Sequence, residues 1–212
     1  MKILIIGAGG QGQVVADAIL FAIEEGMQLN IAGYLDDNPA LWSKEILGIP
    51  VLGPISKWRD VPHNAMILCI GSNKRRREIY KNLSAQGANF TEARHPTALV
   101  GHDVTIGQGS YIGAYVILAA GTVVGCNSII HGNSVIGHHN LIGDHVHIAP
   151  GVNTAGHVEI GAGAMIGLGA SLMPQKKIGE WSVVGSATLV NRDVLPGSTV
   201  VGVPGRVLNK IV

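Results

Sequence analysis

The chain has few aromatic residues, few charges and few cysteines. Aromatic residues make up 4% of it and charged residues 14%, well below the usual charged share of a globular protein. The formal net charge of +1 leaves no broad basic surface for nucleic acid or an anionic membrane. The two cysteines make no metal-binding spacing, and the apolar run after Val14 is broken by Asp17 before it could span a membrane. These absences predict a soluble cytoplasmic protein with reduced thiols.

Glycine is present in excess, and the 30 glycines follow a repeat of six. Between residues 100 and 190 every sixth residue is aliphatic, apart from Thr154. The residue after each of these is usually Gly or Ala, and the residue two before it is usually small or β-branched. A period of six fits neither an α-helix nor a lone alternating strand. It predicts a hexapeptide parallel β-helix of about five coils, with three short strands per coil and every sixth side chain pointing inwards.

The first 95 residues have a different pattern, in which apolar strands alternate with helices. Lys2 to Ile6 is predicted to be a strand, followed by a glycine turn and a helix from about Gln13 to Glu25. Further strands are predicted at residues 31–35 and 66–70, and a second helix at residues 74–85. This alternation favours a small parallel sheet. The predicted fold class is therefore an α/β, half-Rossmann-like N-terminal domain followed by an all-β helix.

Two features of this N-terminal part indicate nucleotide binding. Gly7, Gly9 and Gly12 have the G-x-G-x-x-G spacing, which brings backbone N–H groups at a helix start towards an anion. Asp36 and Asp37 follow the next strand, where a carboxylate can accept hydrogen bonds from a ribose or a base. The alternative is an ordinary βαβ turn, because the glycine spacing alone is a weak signal. No second mononucleotide half is visible, so the nucleotide need not be NAD.

The chain is predicted to divide at His95-Pro96, because the residue before a proline leaves the helical region. We expect a nucleotide-binding βαβ domain at residues 1–95, the β-helix at 96–195, and a closing turn and extension at 196–212. The basic run at residues 74–77 is interpreted as the solvated face of a helix, with phosphate steering as the alternative.

Histidine is the second residue in excess, with nine in the chain and five between His131 and His147. Imidazole titrates near neutrality, which suits a general base. None of the five occupies the inward aliphatic column, so we expect them on faces or edges of the β-helix. Any one of them is more simply interpreted as an exposed side chain, whereas the cluster as a whole indicates function.

Three chemistries can be compared for this cluster. One His-His pair and one His-x-His pair supply metal ligands but no convincing set of three, so no metal is expected. Ser134, His138 and Asp144 are near one another, but the strained nucleophile turn of a hydrolase is missing. Cys126 has no activating partner in the sequence. The remaining interpretation is group transfer with a histidine base and no covalent intermediate.

The repeat and several motifs resemble the bacterial hexapeptide-repeat sugar acyltransferases. The motifs are His95-Pro96, Asn-Ser-Val-Ile-Gly-His at residues 133–138 and Gly-Val-Pro-Gly-Arg at 202–206. More narrowly, the glycine turn, Asp36-Asp37-Asn38 and Ile70-Gly71-Ser72-Asn73 are similar to the subgroup that N-acetylates nucleotide-linked 4-amino-4,6-dideoxy sugars. This subgroup is often labelled a sialic acid O-acetyltransferase family. The resemblance covers nearly the whole chain.

The resemblance implies a left-handed β-helix and a homotrimer with acetyl-CoA lying between two subunits. It implies that the N-terminal domain binds a nucleotide-activated sugar through Gly9, Gly10, Gln11, Asp36, Asp37 and Gly71. His138 matches the catalytic base, which takes the proton from the attacking sugar amine, and the Gly156 N–H matches a donor to the thioester oxygen. The residues implied to contact acetyl-CoA are His147, Leu168 and Ser186.

The chain departs from the family pattern at two positions. Some relatives have an acidic residue after the base that raises its basicity, where this chain has His139. Imidazole cannot supply that negative charge, so either another acid orients His138 or the base is weaker. Several relatives have histidine in the glycine turn where this chain has Gln11, which leaves open whether UDP, GDP or TDP is preferred.

The predicted function is acetyl-CoA-dependent N-acetylation of a nucleotide-activated amino-dideoxy sugar for glycan biosynthesis. Three alternatives stay open. They are O-acetylation of a sugar hydroxyl, a metal-dependent hydratase on the same β-helix, and a non-catalytic nucleotide-sugar sensor. Neither nucleic acid nor a membrane is an expected partner, and the sequence does not name the sugar or the length of the acyl chain.

Overall fold

The computed structural model describes residues 1–208 and separates the chain into two compact units, Met1–Pro96 and a second that begins at Thr97. Within the described residues, neither α-helix combines the length and the apolar character that crossing a membrane requires. The last four residues of the predicted C-terminal extension, 209–212, lie outside the described residues.

The elements of the first unit are β1 Lys2–Ile6, α1 Gly10–Glu24, β2 Asn30–Leu35, β3 Glu45–Ile46, β4 Ile49–Pro50, β5 Ala65–Leu68, α2 Asn73–Ala85 and β6 Ala93–Arg94. Three of the strands form a parallel sheet in the order β2-β1-β5. Leu4 and Ile6 of β1 pack with Ile79 and Leu83 of α2 in one buried cluster. Strand residues that face the other way, such as Ile5, are equally buried. Both faces of the sheet are therefore covered, which explains why its strands are continuous apolar runs.

Helix α1 begins three residues earlier than the sequence predicted, at Gly10 instead of Gln13. The Gln13 N–H donates to the Gly9 carbonyl at 3.1 Å, so the second half of the glycine motif is already helical. A Cβ atom on Gly12 would collide with the carbonyl of Gly7. The third glycine of the motif therefore permits the close packing of helix on strand.

The interpretation of residues 74–77 as a solvated face is wrong for one of them. Arg76 is fully buried, and its Nη1 donates to the Ile70 carbonyl at 2.9 Å. Burial lowers the pKa of its guanidinium to about 10 and raises the pKa of the neighbouring Cys69 thiol. Arg75, in contrast, is exposed and lies 3.9 Å from the carboxylate of Asp37.

The second unit is a parallel β-helix, as predicted, in which each strand pairs with the strand 18 residues later. Its strands form three faces. The first face is β7 Leu99–Val100, β10 Ile117–Leu118, β13 Val135–Ile136, β16 Asn153–Thr154, β19 Ser171–Leu172 and β22 Leu189–Val190. The second is β8 Thr105–Ile106, β11 Val123–Val124, β14 Leu141–Ile142, β17 Glu159–Ile160 and β20 Lys177–Ile178. The third includes β9 Tyr111–Ile112, β12 Ile129–Ile130, β15 His147–Ile148, β18 Met165–Ile166, β21 Val183–Val184 and β23 Thr199–Val201, which pairs antiparallel with β24 Arg206–Val207.

The β-helix has about six coils instead of the five predicted, because the third face continues beyond Val190 to β23. The predicted inward column is confirmed, since every member from Ile112 to Val190 is buried. Thr154, the polar exception, has a buried partner, because Asn140 Nδ2 donates to its hydroxyl. Asn140 Oδ1 in turn accepts from the Val158 N–H at 2.7 Å. The polar break in the column is thus a satisfied hydrogen-bond pair.

Candidate active site

The three predicted catalytic residues and one further histidine lie at one edge of the β-helix, in the turns between the first and second faces. His138 and His139 follow β13, and Gly156 and His157 follow β16 one coil later. The two turns stack because Ile136 and Thr154 are paired in the sheet. We call this edge, residues 137–140 and 155–158, the histidine corner.

The backbone of the histidine corner sets the direction of two of its imidazoles. The backbone of His139 and of His157 is in the left-handed conformation, with φ of +54° and +57°. Histidine is several-fold enriched in this conformation. The His139 N–H donates to the Ala120 carbonyl at 2.9 Å, and the His157 N–H donates to the His138 carbonyl at 3.0 Å. The His139 and His157 rings are consequently stacked, with centroids 5.1 Å apart and planes 13° apart.

His138 depends on Gly156 for the position of its ring. A Cβ atom at residue 156 would lie 3.0 Å or less from three ring atoms of His138. The ring therefore occupies space that any other residue at 156 would fill. Within residues 1–208 the Gly156 N–H has no hydrogen-bond acceptor, so a donor beside the imidazole is available to a ligand.

The neighbour of His138 is the imidazole of His139, and it is within hydrogen-bond range. His138 Nδ1 and His139 Nδ1 are 3.1 Å apart. One of the two nitrogens must donate and the other accept, so both rings can be neutral. In the described part of the chain no carboxylate oxygen lies within 4.0 Å of a His138 nitrogen. The partner that orients His138 within this chain is therefore His139.

Sequence reasoning did not identify His157. It lies 18 residues after His139, and the strand register turns this distance into direct stacking. A search for polar residues at multiples of 18, which is three hexapeptides, would have found it.

The other histidines of the sequence cluster are separate from this corner. His145 is buried, with 7% of its surface exposed, and its Nδ1 lies 2.9 Å from the side-chain nitrogen of Asn127. His131 and His147 form a tilted ring pair 5.0 Å apart on the third face and its edge. The cluster thus divides into a candidate catalytic pair, His138 and His139, a packing residue and an aromatic pair.

The residues implied to contact acetyl-CoA lie elsewhere on the β-helix. His147 is on β15 in the third face and is half-buried. Leu168 and Ser186 are exposed and occupy the same position in successive turns between the third and first faces. These turns lie at one edge of the first face, and the histidine corner lies at its opposite edge. The fold therefore brings Leu168 and Ser186 together but does not bring them to His138 within one chain.

The predicted nucleotide site lies at the start of α1. Gly9 and Gly10 are exposed, the helix has no side-chain cap, and no acidic residue lies in its first turn. The free backbone N–H groups and the positive end of the helix dipole favour an anion. Gln11 Nε2 is buried beside them, and no hydrogen-bond acceptor for it is present among residues 1–208.

The acidic pair after β2 is engaged within the protein itself. Asp36 accepts from the Ala8 N–H at 2.8 Å and from the Asn38 N–H at 2.8 Å, so it fixes the glycine turn against the end of β2. Asp37 accepts from the Ile55 N–H at 3.0 Å and lines a cavity of about 360 Å³. Gly71, after β5, is exposed. Each carboxylate keeps lone pairs for a ligand, since it offers about four acceptor positions.

A β-helix with a six-residue repeat that follows a Rossmann-like sheet in the chain is the architecture of the hexapeptide-repeat transferases. Comparisons with known proteins identify the family within this class. Residues 2–83 match the family described as the PglD N-terminal domain. The acetyltransferase domain of PglB from Neisseria gonorrhoeae FA1090 is 31% identical, with a TM-score of 0.89 over 98% of this chain and 99% of that one. A second structure of that domain, in complex with acetyl coenzyme A, is 27% identical with a TM-score of 0.77 over 98% of both chains.

A perosamine N-acetyltransferase from Caulobacter crescentus is 28% identical, with a TM-score of 0.92 over 99% of this chain and 98% of that one. The solved protein is a histidine-to-asparagine variant in complex with CoA and GDP-perosamine. The UDP-N-acetylbacillosamine N-acetyltransferase of Bacillus subtilis (strain 168) is 31% identical over 115 residues, and this match spans about half of each protein, 53% of this chain and 51% of that one. The chain belongs to the family of hexapeptide-repeat amino-sugar N-acetyltransferases.

Proposed function

We propose that the protein transfers the acetyl group of acetyl-CoA to the amino group of a nucleotide-activated amino-dideoxy sugar. The observation that carries this proposal is the histidine corner, where an imidazole, its orienting partner and a free backbone N–H converge. Relatives that cover the whole chain are bound to acetyl coenzyme A, or to CoA with GDP-perosamine, which supports this donor and this class of acceptor.

The catalytic step is a direct attack with His138 as general base. The sugar nitrogen forms a bond to the thioester carbonyl carbon, and a proton of the amine passes to His138 Nε2. His138 Nδ1–H donates to the neutral His139, which leaves Nε2 free to accept that proton. The Gly156 N–H donates to the oxygen where negative charge develops, a contact worth about 2.7–4 kcal/mol in other enzymes. The carbon–sulfur bond then breaks, and the departing thiolate takes up the proton held by His138 Nε2, which returns the base to its starting form.

The N-terminal unit has the role of holding the nucleotide sugar. The phosphates meet the N–H groups of Gly9 and Gly10, and the unpaired Gln11 Nε2 donates to the same anion. Asp36 keeps the glycine turn in place and, with Asp37 and Gly71, contributes to the remaining contacts with the ligand.

The positions of the predicted acetyl-CoA contacts support a cosubstrate site shared between copies of the chain. Leu168 and Ser186 lie across the first face from His138. In the proposed assembly, a neighbouring subunit brings its own copies of these residues, with His147, to the histidine corner. We therefore propose a homotrimer with active sites between subunits, located in the cytoplasm, where acetyl-CoA and nucleotide sugars are made.

The test is thiol release from acetyl-CoA in the presence of UDP-, GDP- and TDP-linked amino sugars. Each amino sugar is paired with its hydroxy analogue. We expect thiol release only when an amino sugar is present, and not with its hydroxy analogue. In His138→Ala we expect the rate of release to fall by about 10²–10⁴-fold. His102→Ala is the matched control, since His102 occupies the same coil position two coils earlier and is exposed. Release with the hydroxy sugars alone would make the protein an O-acetyltransferase, and tight sugar binding without release would make it a sensor.

A further inference from the structure

The three imidazoles of the histidine corner form a cluster that the proposed reaction does not explain. His138, His139 and His157 each offer a ring nitrogen, and these three nitrogens lie within 4.8 Å of one another. His138 Nδ1 and His139 Nδ1 are 3.1 Å apart. General base catalysis needs His138 and one orienting partner, so His157 has no role in it.

The cluster is built by the fold. His139 and His157 are one coil apart and share the left-handed conformation, so their rings project in the same direction. Gly156 leaves the space through which the His138 ring reaches the other two, and the centroids of His138 and His157 are 5.1 Å apart. The hydrogen bond from the His157 N–H to the His138 carbonyl fixes the spacing of the two turns.

These distances suit a tetrahedral metal ion. Zinc–nitrogen bonds of ~2.0–2.1 Å at tetrahedral angles place two nitrogen ligands about 3.3 Å apart. The His138–His139 pair is already near this separation. The remaining nitrogen–nitrogen distances are at most 4.8 Å, so they have to shorten by about 1.5 Å at most to reach the tetrahedral separation. All three side chains are exposed and can rotate. Imidazole ligands favour Zn²⁺, Cu²⁺ and Ni²⁺ over Mg²⁺ or Ca²⁺.

We propose that His138, His139 and His157 form a binding site for a divalent transition-metal ion such as Zn²⁺, with three protein ligands and one open position. The bound ion takes the nitrogen lone pairs of the imidazoles, so His138 no longer accepts a proton from the sugar amine. The site is therefore inhibitory: zinc competes with catalysis and does not support it. The inhibition rests on the proposed function, whereas the binding does not.

The experiment is a calorimetric titration of the metal-free full-length protein with ZnCl₂, without any substrate. The variant is His157→Asn, because asparagine also tolerates the left-handed conformation, and His102→Asn is the control. We expect one ion per chain in the wild type and in His102→Asn, and at least ~10-fold weaker binding in His157→Asn, since loss of even an outer partner of a metal ligand costs about 10–100-fold. With Co²⁺ in place of zinc, we expect a tetrahedral d–d absorption band that His157→Asn loses.

Equal zinc affinity in the wild type and in His157→Asn, with circular dichroism showing both folded, would overturn the site. So would the absence of stoichiometric binding in the wild type. Acetyl transfer is measured separately. If zinc binds through His157 but no sugar is acetylated, the proposed function fails and the metal site stands. If acetyl transfer proceeds at full rate while zinc fills the site, the inhibitory role fails.

Discussion

Replacing Gly156 by alanine tests whether the position of the His138 ring limits the reaction. The added Cβ would lie 3.0 Å or less from three ring atoms, where ordinary contacts are ~3.5–4.0 Å. The ring therefore has to retreat by about 1 Å. Gly156 does not have a positive φ, so alanine brings no backbone strain, and the N–H proposed to meet the thioester oxygen is retained.

A displacement of about 1 Å costs on the order of 10²-fold in rate, which is ~2.7 kcal/mol of activation free energy. We expect Gly156→Ala to lower kcat by about that factor and to leave KM for acetyl-CoA nearly unchanged. The thermal midpoint should change little, because the His138 side chain is exposed and free to move. Steady-state thiol release gives both kinetic constants, and differential scanning fluorimetry gives the midpoint.

The decisive control for Gly156→Ala is a double-mutant cycle. If alanine acts through the His138 ring alone, it has no further effect on the residual rate of His138→Ala. A full wild-type rate in Gly156→Ala would refute the steric reasoning. Additive losses in the double variant would show that Gly156 acts independently of His138.

Three further predictions concern other residues of the two units. His139→Asp places a negative charge beside His138, which raises the pKa of the base and should move the acid limb of the pH–rate profile to higher pH, whereas His139→Asn should not. Asp36→Ala removes the acceptor of the Ala8 N–H and should lower the free energy of unfolding by ~1.5–3 kcal/mol and raise KM for the nucleotide sugar, as chemical denaturation and kinetics would show. Tyr34 has a buried hydroxyl with no partner among residues 1–208, and burial raises its pKa to about 12. Above pH 10 the unfolded chain loses this proton while the folded protein keeps it, so wild-type stability should fall between pH 10 and 12, and urea unfolding of Tyr34→Phe should show a smaller fall.

The sequence by itself determined the β-helix, because a six-residue period leaves the chain one way to bury every sixth side chain. It also determined the strand–glycine turn–helix at the N-terminus, since the spacing of Gly7, Gly9 and Gly12 matches a local backbone requirement. Local sequence patterns predicted the boundaries of helices less accurately than their presence. Helix α1 begins at Gly10 within the glycine motif itself, because packing against β1 outweighs the low helix propensity of glycine.

The tertiary structure alone decided what the polar residues do. Asn140 is an ordinary residue of the repeat in sequence, yet it satisfies Thr154 one coil away in the buried core. Arg76 belongs to a basic run in sequence, yet it is the one member that α2 turns inwards. His157 stacks on His139 only because the coil closes after 18 residues. A sequence pattern fixes which residues are neighbours within one strand or turn, whereas contacts between coils depend on the strand register. The histidine corner is made of such contacts.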